Sequence, residues 1–409
     1  MKKTEFFDVA ARQGFYGVEK GGLYGKKDNV RKYWEDVAIK VNLRKYVTEI
    51  LGNKNQIRAA DLGSGSGEGL EALTHIPCET YETPDKEFVL TKKDIELYLG
   101  VDISKEMVET GKKNYAGKKN VEFMRGDLAR DYSFLDHGPF DIIFSTYSSP
   151  SHLSEKELMN LMVKISEAHQ RKVVVVLDMF AMYSPEWPVY WNNKEPEMKE
   201  YNMVWLYLPK RTQPKKEEIY YVKYWGGNEM KKFCKKLEEK IKRKVDVSVR
   251  DRSVLIGRHI DTGVYNNNPK PVRKQVNRLF DRDYRGNYDT LAFDISYLDN
   301  MKETAPDEYN RIAGYAGDWN TMIAYTKALF SRDDDSVKRY IETSPEYLSE
   351  EMKMLAWLVR NASRFPVVDF WASIYGPQLA AILRNLEFNL PEGLGCGHGM
   401  MCNITINDQ

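Results

Sequence analysis

The sequence predicts an α/β fold, a mostly parallel sheet with helices on both faces, followed by a mainly helical C-terminal region. Three observations carry this. The stretch Ala59-Ala60-Asp61-Leu62-Gly63-Ser64-Gly65-Ser66-Gly67-Glu68-Gly69 reads as a short buried strand, a glycine-rich turn and a helix start. Two later apolar runs end in acidic residues, Asp102 and Asp127. The run Val173-Val174-Val175-Val176-Leu177 is continuously apolar, as a central parallel strand should be.

Length and composition set the frame. At 409 residues, two domains are the natural expectation. An apolar fraction of 42% supplies a core, and a formal charge of +1 lacks the basic excess of a dedicated nucleic-acid binder. Cys78, Cys234, Cys396 and Cys402 make no disulfide framework for a chain this size. No apolar run approaches the roughly 20 residues of a membrane span, and no signal region follows Met1-Lys2-Lys3-Thr4-Glu5. A cytoplasmic location is the expectation.

Taken in order, residues 1–30 mix aromatics and glycines and read as a partly irregular arm. A helix from about Asn29 to Leu51 carries an apolar stripe of Val30, Tyr33, Trp34, Val37, Val41 and Leu43. The first strand, about Arg58–Leu62, enters the glycine turn. Its glycines let the backbone bend sharply and approach a ligand, and the helix start beyond offers unpaired N–H groups. The dinucleotide fingerprint Gly-x-Gly-x-x-Gly fails here, because its third glycine falls on Glu68 or Leu70. Asp-x-Gly-x-Gly-x-Gly is satisfied by Asp61, Gly63, Gly65 and Gly67. Glu68 at the helix start is also unwelcoming to a pyrophosphate. The alternative is a glycine-rich surface turn.

Residues 74–96 read as an insertion before the second strand, so Asp102 comes later than the roughly 20 residues usual after such a turn. Leu97–Ser104 is strand, acid, then helix cap. A carboxylate there can take two ribose hydroxyls at once. A third strand, Val121–Met124, leads to Asp127 and Leu128; a fourth, Phe140–Ser145, leads to Thr146–Leu153. In open α/β sheets ligands bind beyond the carboxyl ends of the strands. Ser154 with Glu157 forms a capping-box pattern ahead of the next helix. Helix capping is the alternative role for Asp102 and Asp127.

From Ser184 to Trp225 aromatics crowd a proline-broken stretch, Trp187, Tyr190, Trp191, Tyr201, Trp205 and Tyr224 among them. It reads as an insertion, a substrate cap or a small satellite core. A charged helix over Gly226–Lys244 precedes two strands, Val245–Arg250 and Ser253–Arg258, which close the sheet near Thr262, the last running antiparallel. Residues 266–271 are a linker. Helical patterns occupy Pro306–Phe330, Ser336–Glu342, Ser349–Asn361 and Val368–Leu386, and Met400–Ile406 is a candidate strand. The run Gly395-Cys396-Gly397-His398-Gly399 imitates the first glycine motif with too few residues after it. Cys396, His398 and Cys402 match no standard zinc spacing, so a tight turn pressed against another element is expected, and no metal.

Asp61-x-Gly63-x-Gly65-x-Gly67 followed in order by Asp102 and Asp127 resembles the motifs of class I S-adenosylmethionine (SAM)-dependent methyltransferases. The resemblance covers about residues 30–262. It implies a Rossmann-like seven-stranded sheet in a domain spanning 1–262, with an N-terminal lid and the aromatic insertion (about 184–225), beside a helical domain at 270–409. It implies SAM as cofactor. Gly63, Ser64, Gly65 and Gly67 would surround its methionine part, with Asp61 nearby. Asp102 would hold the ribose, followed by Ile103 and Met107. Asp127 and Leu128 would flank the adenine, and Ser145 would lie near the sulfonium. His152 is the leading base, since histidine titrates near neutrality; Tyr147 and Asp178 are further catalytic candidates. A histidine merely starting a helix is the alternative. Tyr24, Arg31, Tyr33 and Trp34 of the lid, with Tyr183 and Trp187, are the substrate-binding candidates, although Tyr33 and Trp34 equally fit a helix packed on the sheet. The Asn/Asp-Pro-Pro-aromatic motif of enzymes acting on nucleobase amines or glutamine is absent after the fourth strand. The expected activity is methyl transfer to a small molecule. The alternatives are a protein or RNA methyltransferase recognising its substrate through the C-terminal domain, or a non-enzymatic SAM-binding regulator.

Overall fold

Strand β1 (Ile57–Leu62) is the axis of the sheet, paired in parallel with β2 (Ile95–Asp102) on one side and β4 (Ile142–Ser145) on the other. This computed structural model describes residues 28–78, 87–192, 195–203, 218–267, 269–283 and 287–408. β3 (Val121–Arg125) lies outside β2, and β5 (Val173–Phe180) lies beside β4 with all eight residues buried. The buried, apolar sequence of β5 follows from helices covering both faces.

Two further strands finish the sheet: β8 (Val245–Arg252) at the edge and β9 (Gly399–Ile406) between β5 and β8. The order is β3-β2-β1-β4-β5-β9-β8, with β9 antiparallel to both neighbours. The seventh strand therefore comes from the C-terminal tail, not from Ser253–Arg258. Ser253 adopts φ 58°, which ends β8. The N–H groups of Ser253 and Val254 donate to the Glu387 carboxylate at 2.8 and 2.9 Å, so they have no ladder to join. Val254, Leu255 and Ile256 are apolar because they enter the core of the helical unit. Residues 253–398 are thus inserted between two neighbouring strands, and the expected division into 1–262 and 270–409 does not describe the sheet.

The helices lie close to their predicted positions. α1 (Asp36–Asn53), preceded by a π-helical turn at Arg31–Glu35, packs on one face of the sheet together with α2 (Glu68–Thr74). α3 (Lys105–Asn114) is capped by Ser104, whose Oγ accepts the Met107 N–H at 3.2 Å. α4 (Glu155–Ala168) opens with the Ser154/Glu157 capping box and covers the other face with α5 (Gly227–Ile241). The inserted unit holds α6 (Val272–Arg278), α7 (Pro306–Ser331), α8 (Asp334–Thr343), α9 (Glu346–Arg360) and α10 (Gly376–Phe388). The aromatic insertion forms an antiparallel ribbon, β6 (Met198–Met203) with β7 (Glu218–Lys223). Its rings make a satellite core with Phe180, Met182 and Trp187. Tyr24, Trp205 and Tyr207 lie outside the described residues. No described helix is long and apolar enough to cross a membrane.

Candidate active site

The glycine turn sits at the carboxyl end of β1. Gly63, Gly65 and Gly67 take φ of 74°, 54° and 98°, values that favour glycine. Gly63 and Ser64 donate to the Val101 carbonyl at 2.7 and 3.1 Å, which stitches the turn to β2. A side chain on Gly63 would strike Ser149, 2.5 Å from its Cβ position, so the segment after β4 lies directly on the turn. A Cβ on Gly65 would meet nothing among the described residues within 4 Å, which leaves room for a ligand above it.

Asp102 closes the rim. Its Oδ2 accepts the Gly65 N–H at 2.9 Å and its Oδ1 the Ser104 N–H at 2.8 Å. Ile103 projects beside it, 54% exposed, while the turn after β3 is tied in by the Gly126 N–H on the Asp102 carbonyl at 3.0 Å. Asp127 Oδ1 accepts the Ala129 N–H at 3.1 Å, and Leu128 is partly buried. Ser145 is buried, donating to the Leu62 carbonyl. Ser64 is buried in the turn, and a Cβ on Gly100 would lie 2.8 Å from its Oγ. Two of the expected donor-site residues are buried. Met107 is buried in the first turn of α3. Asp61 is buried beneath the turn, its Oδ2 accepting the Tyr98 hydroxyl at 2.5 Å. Burial pushes its carboxyl up to about 7, with Asp102 and Glu68 adding to the rise against the Tyr98 hydrogen bond.

Beyond β4 and β5 the chain gathers a largely buried cluster of polar and charged side chains. Tyr147 and Ser148 both have positive φ, 57° and 63°, a strained pair of a kind concentrated at functional sites. The Tyr147 N–H donates to Asp178 Oδ2 at 2.8 Å, and Arg252 Nη2 binds the same oxygen at 2.7 Å. Arg252 also lies 3.7 Å from Glu35, which pairs with Arg273 at 2.8 Å; Arg273 in turn holds Asp28 at 2.8 Å. Arg31 pairs with Glu68 at 2.7 Å and lies 3.9 Å from the Tyr147 ring centre. The lid thus reaches both the glycine turn and the β4 segment. Burial raises the Asp178 carboxyl against the opposing pull of Arg252. Burial would raise Glu35 too, but Arg273 and Arg252 hold it well below the ordinary range.

The remaining sequence candidates go elsewhere. His152 packs its ring 4.8 Å from Tyr220 of the ribbon. Burial lowers it to about 4 despite a backbone hydrogen bond with Tyr221, which makes it a weak base. Trp34 donates its Nε1–H to Glu387 at 3.1 Å and packs on Trp319 in the helical core. Tyr33 meets Phe280 and Arg384. Trp187 is buried in the satellite core, donating to the Ala181 carbonyl at 2.9 Å. Tyr183 packs on Trp191 and donates its backbone N–H to Gly395.

Sequence reading missed Glu35, Arg252 and Arg273, and the His398–Glu186 pair, whose Nδ1 and Oε2 lie 2.7 Å apart. The one signal was the Gly395–Gly399 run. Asp251 accepts the N–H groups of Leu394, Gly395 and Cys396 at 3.0, 2.8 and 3.0 Å, forming the expected tight turn. A Cβ on Gly399 would lie 2.6 Å from Asp178 Oδ1, so the run packs against the polar cluster. Cys396 and Cys402 direct their sulfurs to the carbonyls of Glu308 and Met400, and among the described residues no three His, Cys, Asp or Glu side chains are grouped to hold a metal.

Comparison with known proteins agrees with this geometry. The family described as a methyltransferase domain matches residues 89–171, from before β2 to the end of α4. A demethylmenaquinone methyltransferase of Staphylococcus aureus (strain MRSA252) is 27% identical over 186 residues, covering 43% of this chain and 69% of that protein. Among solved structures, the CcbJ methyltransferase from Streptomyces caelestis is 12% identical over 61% of this chain and 91% of its own, with a TM-score of 0.38. A SAM-dependent methyltransferase from Clostridium acetobutylicum ATCC 824 is 12% identical over 54% and 83%, with a TM-score of 0.33. The strand order, the glycine turn with its acidic partner, and the match over residues 89–171 are those of a class I SAM-dependent methyltransferase domain. The chain is an enzyme, and SAM is its cofactor.

Proposed function

We propose that the chain transfers the methyl group of SAM to a small-molecule acceptor by in-line displacement. The observation that carries this is the polar cluster of Tyr147, Asp178 and Arg252 beside the glycine turn, contacted by Arg31 and Glu35. Groups this far out of solvent suit a small acceptor better than a macromolecular one. The relative named for demethylmenaquinone, at 27% identity, lends modest further support.

The residues present fit the donor. The open face of Gly65 and the backbone of Gly63 and Gly67 would surround its methionine part. Asp102 would exchange its Gly65 hydrogen bond for the ribose hydroxyls. Ile103 and Leu128 would flank the adenine, with Asp127 at its amino group, and Ser145 would lie towards the sulfonium. The donor supplies an already activated leaving group, a neutral sulfide departing from a cationic sulfur. The protein's own contribution is alignment and exclusion of water. A screen of cell metabolites with methyl-labelled SAM tests the reading. Label should appear in a low-molecular-weight fraction; label recovered only in protein or RNA would contradict it.

A further inference from the structure

We propose that Asp178, Arg252 and Tyr147 form the acceptor subsite, and that it takes an acceptor presenting a nucleophilic N–H or O–H beside a neutral oxygen, as in a catechol or a vicinal amino alcohol. The inference rests on the donor reading above and deepens it.

Buried Asp178 and Arg252 meet half-buried Tyr147 here, and all three have hydrogen-bonding capacity left over. Asp178 Oδ2 is doubly engaged, by Arg252 Nη2 at 2.7 Å and by the Tyr147 N–H at 2.8 Å. Asp178 Oδ1 is buried with no hydrogen-bond partner among the described residues. The same holds for Arg252 Nε and Nη1 and for the Tyr147 hydroxyl. Side chains of this burial normally find partners, and an exception calls for a ligand or water that completes it. The four atoms belong to one cluster, since the Arg252 guanidinium lies 5.8 Å from the Tyr147 ring centre. The cluster adjoins the donor site through Ser145 and Ser149, which flank Gly63.

The unspent atoms define the ligand. Asp178 Oδ1 can only accept, so it asks for an N–H or O–H. Arg252 can only donate, so it asks for an oxygen lone pair. Its charge is already met by Asp178 at 2.7 Å and Glu35 at 3.7 Å, which leaves no surplus for a carboxylate or phosphate. A neutral hydroxyl or carbonyl oxygen fits. The three groups are gathered about one tyrosine, so both functions must sit close together on the acceptor.

Methyl transfer to such a group must also release its proton. As the new bond forms between the acceptor's nitrogen or oxygen and the methyl carbon, the bond from that carbon to sulfur breaks. The sulfonium leaves as a neutral thioether, and the acceptor's proton passes to Asp178 Oδ1. Arg252 and the Tyr147 N–H hold the carboxylate in place through its other oxygen.

The test uses the full chain, labelled SAM and a panel of catechols, vicinal amino alcohols, simple monoamines, carboxylic acids and apolar quinols. The parent should label the catechols or amino alcohols preferentially. Asp178→Asn should lower kcat/KM for that acceptor by about 100- to 10,000-fold, with SAM affinity by calorimetry changed less than about 3-fold, which also reports that the variant is folded. Tyr147→Phe removes a hydroxyl with no hydrogen-bond partner among the described residues and should raise KM about 3- to 10-fold. Preferential labelling of carboxylates or apolar quinols, or full turnover by Asp178→Asn or unchanged kinetics in Tyr147→Phe with SAM binding intact, would overturn the acceptor assignment alone. Failure of the parent to bind SAM would overturn the donor reading and this proposal with it.

Discussion

Asp61 and Asp102 are both acids at the ends of neighbouring strands, yet their surroundings differ. Asp102 lies at the rim with two backbone N–H groups on its carboxylate. Asp61 lies beneath the turn with the Tyr98 hydroxyl, and its carboxyl rises from 3.8 to about 7. A raised folded-state value means the folded protein binds this proton more tightly than the unfolded chain. Its contribution is therefore intact below about pH 4 and is lost as pH rises through about 7. Asp61→Asn removes this dependence. In urea titrations at pH 5 and pH 8, the variant should gain on the parent by a few kcal/mol on going to the higher pH, since each pKa unit is about 1.4 kcal/mol. A constant difference between parent and variant would contradict the burial argument. Gly399→Ala probes the polar cluster at the same scale. Its Cβ would crowd Asp178 Oδ1 at 2.6 Å, and thermal unfolding should show a loss of about 1–3 kcal/mol. The motif residues were readable because a glycine turn is local: its conformation and its ligand-facing backbone lie within a few consecutive residues. Which way a side chain faces is not local. Trp34 and Trp187 occupy plausible positions in sequence, but an apolar stripe cannot say whether a ring meets a ligand or a neighbouring helix. His152 follows β4 as a base could, and only the ribbon packed on it reveals that it points to Tyr220.

Among the elements, β9 was legible as a strand over Met400–Ile406, but its place in the sheet was not. It fills the position between β5 and β8 with register from Val173 opposite Ile406 to Phe180 opposite Gly399. Pairing across residues 253–398 depends on contacts that leave no trace in nearby sequence. The apolar run Val254–Ile256 imitates a strand, while its first backbone N–H, with that of Ser253, is already claimed by Glu387. A chain ended at residue 262 lacks β9, so it would expose unpaired edges on both β5 and β8. It should fail to yield a soluble, cooperatively unfolding protein, as judged by circular dichroism and gel filtration. A soluble fragment that binds SAM would show that the sheet does not need its last strand.

In the molecule as a whole, residues 28–35 tie three parts together. Arg31 reaches the glycine turn through Glu68 and stacks on Tyr147; Glu35 reaches Arg252 and Arg273; Trp34 reaches Glu387 of α10. The donor turn, the polar cluster and the inserted helices therefore share this one segment, which the sequence resemblance alone had no means to reveal because the inserted unit carries no motif. Methyl transfer to any acceptor depends first on the donor being held by the glycine turn and Asp102. Calorimetric titration of SAM into the parent chain and into Asp102→Ala tests that directly. The parent should bind, and the variant should lose about 2 kcal/mol or more, roughly 30-fold in Kd. Equal affinity in the two proteins would contradict the ribose assignment, and no binding by the parent would contradict the donor site itself.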